Sequence, residues 1–268
     1  KIRPVINHLR DIELWKKASK ISGYKLPCAL HIDTGMNRLG FSIAEIKKLK
    51  RKDIQKYLNI ELIMSHLACS EDKLSSMNND QFHLFNKTIN TLGYLKSEKT
   101  LLSLANSNAI FLGKEFHHQL IRTGAALYGL NIPKSPNKIK PIASLFAKIL
   151  QIRVVEKNMT VGYGATYKTK KKSTIATLEL GYADGLPRNY SSLVFLKGFK
   201  VPFVGNISMD LSTIDVSNVK NLKIDDKVEI FGKNILIDEV AKNSGTIGYE
   251  LLSRISLRVN RVYKKNKL

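Results

Sequence analysis

Over the first half of the chain, short apolar runs alternate with stretches whose apolar positions recur every three to four residues. That is the pattern of βα units around a parallel sheet. It predicts strands over residues 3–7, 28–33, 60–67, 101–105 and 120–122, with helices over 11–19, 42–50, 80–92 and 108–113 between them. Four of these strands run directly into polar or glycine-bearing segments: Asp-Thr-Gly-Met-Asn-Arg-Leu-Gly from Asp33, Ser-His-Leu-Ala-Cys-Ser from Ser65, Ala-Asn-Ser from Ala105 and Arg-Thr-Gly from Arg122. Reactive groups at C-terminal strand ends are what an α/β barrel offers, because its site is built from the loops that follow the strands. With about five strands, an eight-stranded barrel is three short.

The segment 131–141, with Pro133, Pro136 and Pro141, reads as a linker. Beyond it the alternation shortens to the period of strands, expected over 144–155, 173–180, 192–196, 199–203, 211–216, 227–231 and 257–263, with one helix over 237–244. The fold class is therefore α/β, an incomplete (β/α)8 barrel over residues 1–135 followed by a mostly β domain over 142–268.

Composition changes this picture little. With 43% hydrophobic and 25% charged residues the chain reads as an ordinary globular protein, and its 268 residues are enough for one large domain or two smaller ones. No apolar run approaches the ~18 residues of a membrane span and the start does not read as a signal peptide, so a cytoplasmic location is expected. Residue 1 is Lys rather than Met, and the sequence reads as beginning inside a longer one. Cys28 and Cys69 have no CxxC partner, which suggests neither a disulfide framework nor a zinc site. The net charge of +22 raises nucleic acid as a partner. The lysines, however, are dispersed over helix faces and turns without interleaved aromatics, and read as a solvated surface with no specific nucleic-acid site.

The candidate chemistry gathers at a few places. Two motifs set a tyrosine among glycines on either side of a lysine-rich turn: Val-Gly-Tyr-Gly-Ala-Thr-Tyr from Val161, and Gly-Tyr-Ala-Asp-Gly from Gly181. Glycine lets backbone approach a ligand and a phenol can move a proton. A phenol ordinarily titrates near ~10, so Tyr163, Tyr182 or Tyr249 needs a cationic or hydrogen-bonded setting to act as a base; such tyrosines equally pack with the hydroxyl at the surface. Ser107, ending a strand before a helix, suits either a phosphate or an N-cap. Arg122, beside the flexible backbone of Gly124 and Ala125, suits an anionic ligand or a structural ion pair. Arg38 can clamp a carboxylate or sit in a turn closed by Asp33, and His66 is a ligand candidate or a satisfied core histidine.

Taken in order, these segments resemble the alanine racemase family. The residues carrying the resemblance are His-Ile-Asp-Thr-Gly-Met-Asn-Arg-Leu-Gly from His31, Ser65-His66, Ala105-Asn106-Ser107, Arg-Thr-Gly-Ala-Ala-Leu-Tyr-Gly-Leu from Arg122, the two tyrosine motifs, Gly-Asn-Ile-Ser-Met-Asp from Gly205 and Ile-Gly-Tyr-Glu from Ile247. The resemblance implies pyridoxal 5'-phosphate on an α/β barrel followed by a β domain. Tyr163 matches the catalytic tyrosine, a base acting on one face of the substrate across a dimer interface. Arg122 matches the arginine beside the pyridine nitrogen, and His66 the histidine beside the cofactor ring. Ser107, Gly124, Ala125 and Tyr249 match the phosphate cradle. Arg38 matches the arginine near the cofactor's phenolic oxygen and the substrate carboxylate, Met209 the facing backbone amide from the partner subunit, and Tyr182 the entrance tyrosine. The implied activity is conversion of L-alanine to D-alanine for peptidoglycan precursors, in a homodimer with shared active sites.

The departures are as informative. The family's other base, a lysine that also forms the Schiff base with the cofactor, lies in an Ala-Val-Val-Lys-Ala-Asn-Ala-Tyr-Gly-like motif on the first barrel strand. That motif does not occur in this sequence, which reads as starting near the fourth strand. His31 stands where many members carry a modified lysine, and Ser103 where a histidine often supports the arginine matched by Arg122. The expectation is a chain poorly stable and inactive alone, completed by a separately encoded N-terminal fragment or surviving as a truncated remnant with weak cofactor binding. A basic-amino-acid decarboxylase of the same barrel is disfavoured, because its β-domain motifs differ.

Overall fold

The structure is a computed structural model and describes residues 2–95, 97–130 and 139–264. Most of the expected linker, residues 131–138, lies outside the described residues. The chain divides into two compact units, one reaching Leu127 and the other comprising 128–130 and 139–264 among the described residues.

In the first unit the elements follow as β1 (Val5–Ile6), α1 (Leu9–Ser22), β2 (Leu26–His31), α2 (Ile43–Lys48), α3 (Arg51–Tyr57), β3 (Leu58–Met64), α4 (Ser76–Thr91), β4 (Leu101–Ser103) and a single helical turn, α5 (Ala125–Tyr128). The four strands form one parallel sheet in sequential order. β2 is buried without a break over its last four residues, the pattern of a parallel strand covered on both faces. α1 begins at His8, whose ring accepts from the Arg10 amide while Asp11 reaches back to the His8 amide, and it ends at Gly23 in the left-handed region. A capping box of Ser42 and Glu45 starts α2 in the same way. Phe85 of α4 is fully buried in the same apolar cluster as Ile63, Leu30 and Phe41, the core on which the strands with polar ends are packed.

Three expectations are corrected here. Residues 120–122 run beside β4 without forming a ladder: Leu120 N donates to Leu102 O and Arg122 N to Ala105 O, too irregular for a strand. The helix expected over 108–113 is a 3-10 turn, Ala109–Phe111. α3 was not expected at all, because the lysines on either side of Ile54 obscure its one buried position.

The second unit contains β5 (Leu145–Val155), the hairpin β6 (Thr160–Val161) and β7 (Tyr167–Lys168), β8 (Ser173–Leu178), β9 (Leu193–Leu196), β10 (Phe199–Pro202), β11 (Ser212–Asp215), β12 (Lys227–Phe231), α6 (Ile237–Asn243) and α7 (Gly248–Arg254). Six strands form an antiparallel sheet ordered β10-β9-β12-β5-β8-β11. β5 is long enough to pair with β12 through its first half and with β8 through its second, across a bulge between Ile149 and Gln151. The sheet's outer strands are joined in turn by a bridge between Phe203 and Ile214, with Val204 N donating to Thr213 O at 2.9 Å. The sheet thus closes on itself and neither outer strand is left as a free edge. Residues 257–263, expected as a strand, are irregular. Leu257, Val262 and Tyr263 are exposed, and the Arg261 guanidinium donates to the carbonyls of Ile255, Ser256 and Val259, folding the segment on itself. α7 also goes beyond the expected elements.

Gly40 closes the 33–40 loop at φ +105°, and a Cβ there would lie 2.9 Å from Asp33 N. Gly23 is left-handed but has open space around it. Gly40→Ala is therefore expected to cost about 2 kcal/mol or more, against about 1 kcal/mol for Gly23→Ala. Urea denaturation of the two variants checks this, and equal losses would contradict the role given to the Asp33 contact.

Candidate functional site

In the first unit the strand ends converge on Arg122. Its guanidinium donates to Ser103 Oγ, to Ser65 O and, at 3.2 Å, to His66 Nδ1, with a longer contact to Leu104 O. Ser103 Oγ in turn donates to Leu120 O at 2.7 Å. These partners are all neutral. Burial pulls the guanidinium down to about 10, so it remains a cation at neutral pH. The structural ion pair that the sequence left open for Arg122 is not formed among the described residues.

Because Nδ1 of His66 accepts from Arg122, its proton sits on Nε2. Burial, then the charges of Arg122 and Arg38, push this imidazole down to about 4. A buried polar brace holds the backbone behind it: Gln81 Nε2 donates to His66 O and to Thr34 Oγ1, Gln81 Oε1 accepts from Ala68 N, and Thr34 bonds Ser65 at 2.7 Å. His31 is lowered too, first by burial and then by the charge of Arg122, and its Nδ1 donates to Asn7 Oδ1 at 2.7 Å.

Ser107 Oγ accepts from Gly124 N at 2.9 Å and from Ala126 N at 3.2 Å, passing over Ala125. The hydroxyl and the start of α5 thus meet at one point, with open space beside the Gly124 Cα. Arg38 is exposed on a loop closed as its plainer reading had it: Asp33 Oδ1 accepts from Gly35 N and Asn37 N, and Phe41 O accepts from Asp33 N.

The second unit holds the remaining candidates. Tyr163 lies in the β6–β7 turn between Gly162 and Gly164, both left-handed, and is 72% exposed. That turn is bridged to Asn206, whose Nδ2 donates to Tyr163 O at 2.9 Å. Tyr182 and Met209 are brought together through backbone, since Tyr182 N donates to Ser208 O and Ala183 N to Met209 O. Tyr249 sits in the first turn of α7 and is half-exposed. Sequence reasoning missed Asn206, Gln81 and Arg258. The last of these bonds both Asp184 and Asp210, and lay in a segment taken for a strand.

These features define a chain of α/β-barrel type followed by a closed β unit, with a half-buried cation at its strand ends whose described partners are all neutral. Family profiles make the assignment specific: the N-terminal domain of alanine racemase matches residues 1–132 and the C-terminal domain matches 142–263. The chain belongs to the alanine racemase family. It is 43% identical to alanine racemase of Rickettsia bellii (strain RML369-C), an alignment covering 97% of this chain and 64% of that protein. For the alanine racemase of Rickettsia akari (strain Hartford) the figures are 42%, 98% and 72%. Among solved structures, alanine racemase from Bartonella henselae with covalently bound pyridoxal phosphate superposes with a TM-score of 0.91 at 35% identity, over 98% of this chain and 73% of that one. The biosynthetic enzyme from Pseudomonas aeruginosa gives 0.85 at 32%, over 97% and 73%. The chain thus spans about two thirds to three quarters of these relatives.

The His66 environment has a measurable consequence. A histidine at about 4 when folded, against an ordinary 6.5, binds fewer protons folded than unfolded between those values. Its contribution to stability is present above pH ~6.5 and is lost as the pH falls toward ~4. The His66 ring resonances are expected to stay those of the neutral form at pH 5. Replacement by Gln should flatten part of the fall in urea midpoint between pH 7 and pH 5. A ring titrating near 6.5 would show that Arg122 does not hold it.

Proposed function

We propose that this chain is the part of a pyridoxal-phosphate-dependent alanine racemase that binds the cofactor and supplies one of two bases, Tyr163. When bound, pyridoxal 5'-phosphate supplies an electron sink that acidifies the α-hydrogen of an amino-acid substrate. The observation that carries the proposal is the Arg122 guanidinium, half-buried among neutral acceptors beside a neutral His66. Such a donor set, together with the Ser107 hydroxyl and the open turn at Gly124, suits a ligand that offers both an acceptor nitrogen and a phosphate.

In this reading Ser107 and the backbone at Gly124 and Ala125 hold the phosphate. Arg122 donates to the ring nitrogen. A permanent cation there keeps a proton off that nitrogen and restrains the spread of negative charge into the ring, favouring return of the α-hydrogen over side reactions. His66 lies beside the ring as a neutral donor through Nε2. Arg38 and the Met209 backbone orient the substrate carboxylate, Tyr182 guards the entrance, and the Tyr163 hydroxyl moves the α-hydrogen on one face. Tyr163 and Met209, 72% and 54% exposed, serve the site of a second copy in a homodimer. The family's lysine motif does not occur in the 268 residues, so the proposal assigns this chain binding and one-sided proton transfer, without racemisation by itself.

Titration with pyridoxal 5'-phosphate, followed by cofactor absorbance, tests this. Binding is expected to be saturable and reversed by dialysis, weakened about 10-fold or more by Ser107→Ala and by Arg122→Gln, and unchanged by Tyr163→Phe. With L-alanine in D2O the loaded chain should wash deuterium into the α-position without yielding D-alanine, and Tyr163→Phe should slow the exchange about 100-fold. Binding indifferent to Ser107 and Arg122 would sink the proposal.

A further inference from the structure

The segments carrying Tyr182 and Met209 meet through an unusually close backbone contact. A Cβ at Gly181 would lie 2.2 Å from Met209 O, so only glycine fits. Tyr182 N donates to Ser208 O at 3.1 Å and Ala183 N to Met209 O at 2.9 Å. On the same two segments stand two carboxylates, Asp184 and Asp210. Asp184 is buried, its side chain 9% exposed, and its Oδ2 accepts from Gly181 N at 2.8 Å. Asp210 is 55% exposed. One side chain answers both: Arg258 donates through Nε to Asp184 Oδ1 at 2.7 Å and through Nη2 to Asp210 Oδ1 at 2.5 Å. The backbone adds a third tie, Ser256 N to Asp184 O at 3.0 Å.

The geometry points to Arg258 as a positioning residue that fixes the spacing between the Tyr182 and Met209 segments, and with it the width of the substrate entrance. The last clause rests on the reading of Tyr182 and Met209 as substrate-facing. The physical argument is that a planar guanidinium presents donors in a fixed fork, so it sets a distance as well as neutralising charge. Without it, two carboxylates brought within the span of one guanidinium repel, and one of them is buried with no counter-ion. Among the described residues, the two backbone hydrogen bonds and the Gly181 contact would then be left to oppose separation of the segments.

The test uses hydrogen exchange and alanine binding on the 268-residue chain. Arg258→Ala should speed exchange of the Tyr182 and Ala183 amides about 10-fold or more, while amides of β5 and β12 keep their rates. Because that variant leaves Asp184 unpaired and can fail to fold, Asp210→Asn provides the second arm. It retains the Asp184 pair, breaks only the bridge, and should give a smaller local acceleration of the same sign. Arg258→Lys, whose single ammonium reaches one carboxylate, should behave like Asp210→Asn. Adding Asp210→Asn to Arg258→Ala should slow exchange relative to Arg258→Ala alone, because the repulsion is removed, a result that lost packing does not produce.

In the cofactor-loaded chain the alanine concentration giving half-maximal α-deuterium exchange should rise several-fold in Asp210→Asn and Arg258→Lys, with the saturated rate unchanged. Unaltered exchange at Tyr182 and Ala183 in all three single variants overturns the inference. Acceleration spread evenly over the unit overturns it also, since Arg258 would then be a general stabiliser. If the wild type shows no response to alanine while the local exchange pattern holds, the racemase reading fails and the positioning of the two segments stands. If the wild type responds to alanine and neither variant shifts the half-maximal concentration, the link to the entrance is refuted.

Discussion

A guanidinium drawn halfway out of water, with only neutral partners among the described residues, is the constraint around which the first unit is arranged. Burying a cation among neutral groups is unfavourable unless its hydrogen-bond donors are met. Arg122 meets this condition by drawing on Ser103 and Leu104 at the end of β4, and on Ser65 and His66 past the end of β3. Burial first, and then the charge of this cation, lower both His31 and His66 from the ordinary histidine value. The state of His66 follows from its burial and from the cation beside it, and the Gln81 brace holds the backbone that makes the arrangement possible.

The second unit solves a different problem, bringing three loop motifs into register without a cluster of buried charges. It does so with glycine. Gly162 lies against the backbone of Gly205 and Asn206, Gly205 against Val161 O, and Gly181 against Met209 O. The Gly205 and Gly181 contacts leave no room for a side chain and the Gly162 contact leaves little, so main chain, together with the Arg258 bridge, sets the spacing of the motifs and the tyrosines are left to project from it. This is why Tyr163 is exposed while the backbone beneath it is tied to Asn206.

The parts legible in the sequence were those in which a pattern and its cause coincide. β2 and β3 announce themselves by apolar runs because both faces of a parallel sheet are covered, and the glycine-tyrosine motifs because close backbone approach demands glycine. What the sequence concealed follows from the same logic. The apolar run ending at Arg122 looked like a strand, but it lies alongside β4 with too few regular bonds for a ladder. Residues 257–263 alternate like a strand and yet find no partner, since Arg261 satisfies the nearby carbonyls. Arg258 carried no local signal, because its importance comes from two carboxylates 74 and 48 residues away in the chain. Ser103 was visible only as a departure from the family pattern; its hydroxyl, smaller than an imidazole, still relays from Arg122 to the Leu120 carbonyl.

The closed sheet of the second unit carries one more consequence. Its ring is built from long-range pairings such as β5 with β12, but sealed by a short-range one between Phe203 and Ile214, and the segment that spans the seam is the one containing Met209. Closing a short loop costs far less chain entropy than closing a long one. The ring is a clasp as much as a barrel: the element that fastens it is also the element that, in the proposed reading, presents a backbone amide to the substrate.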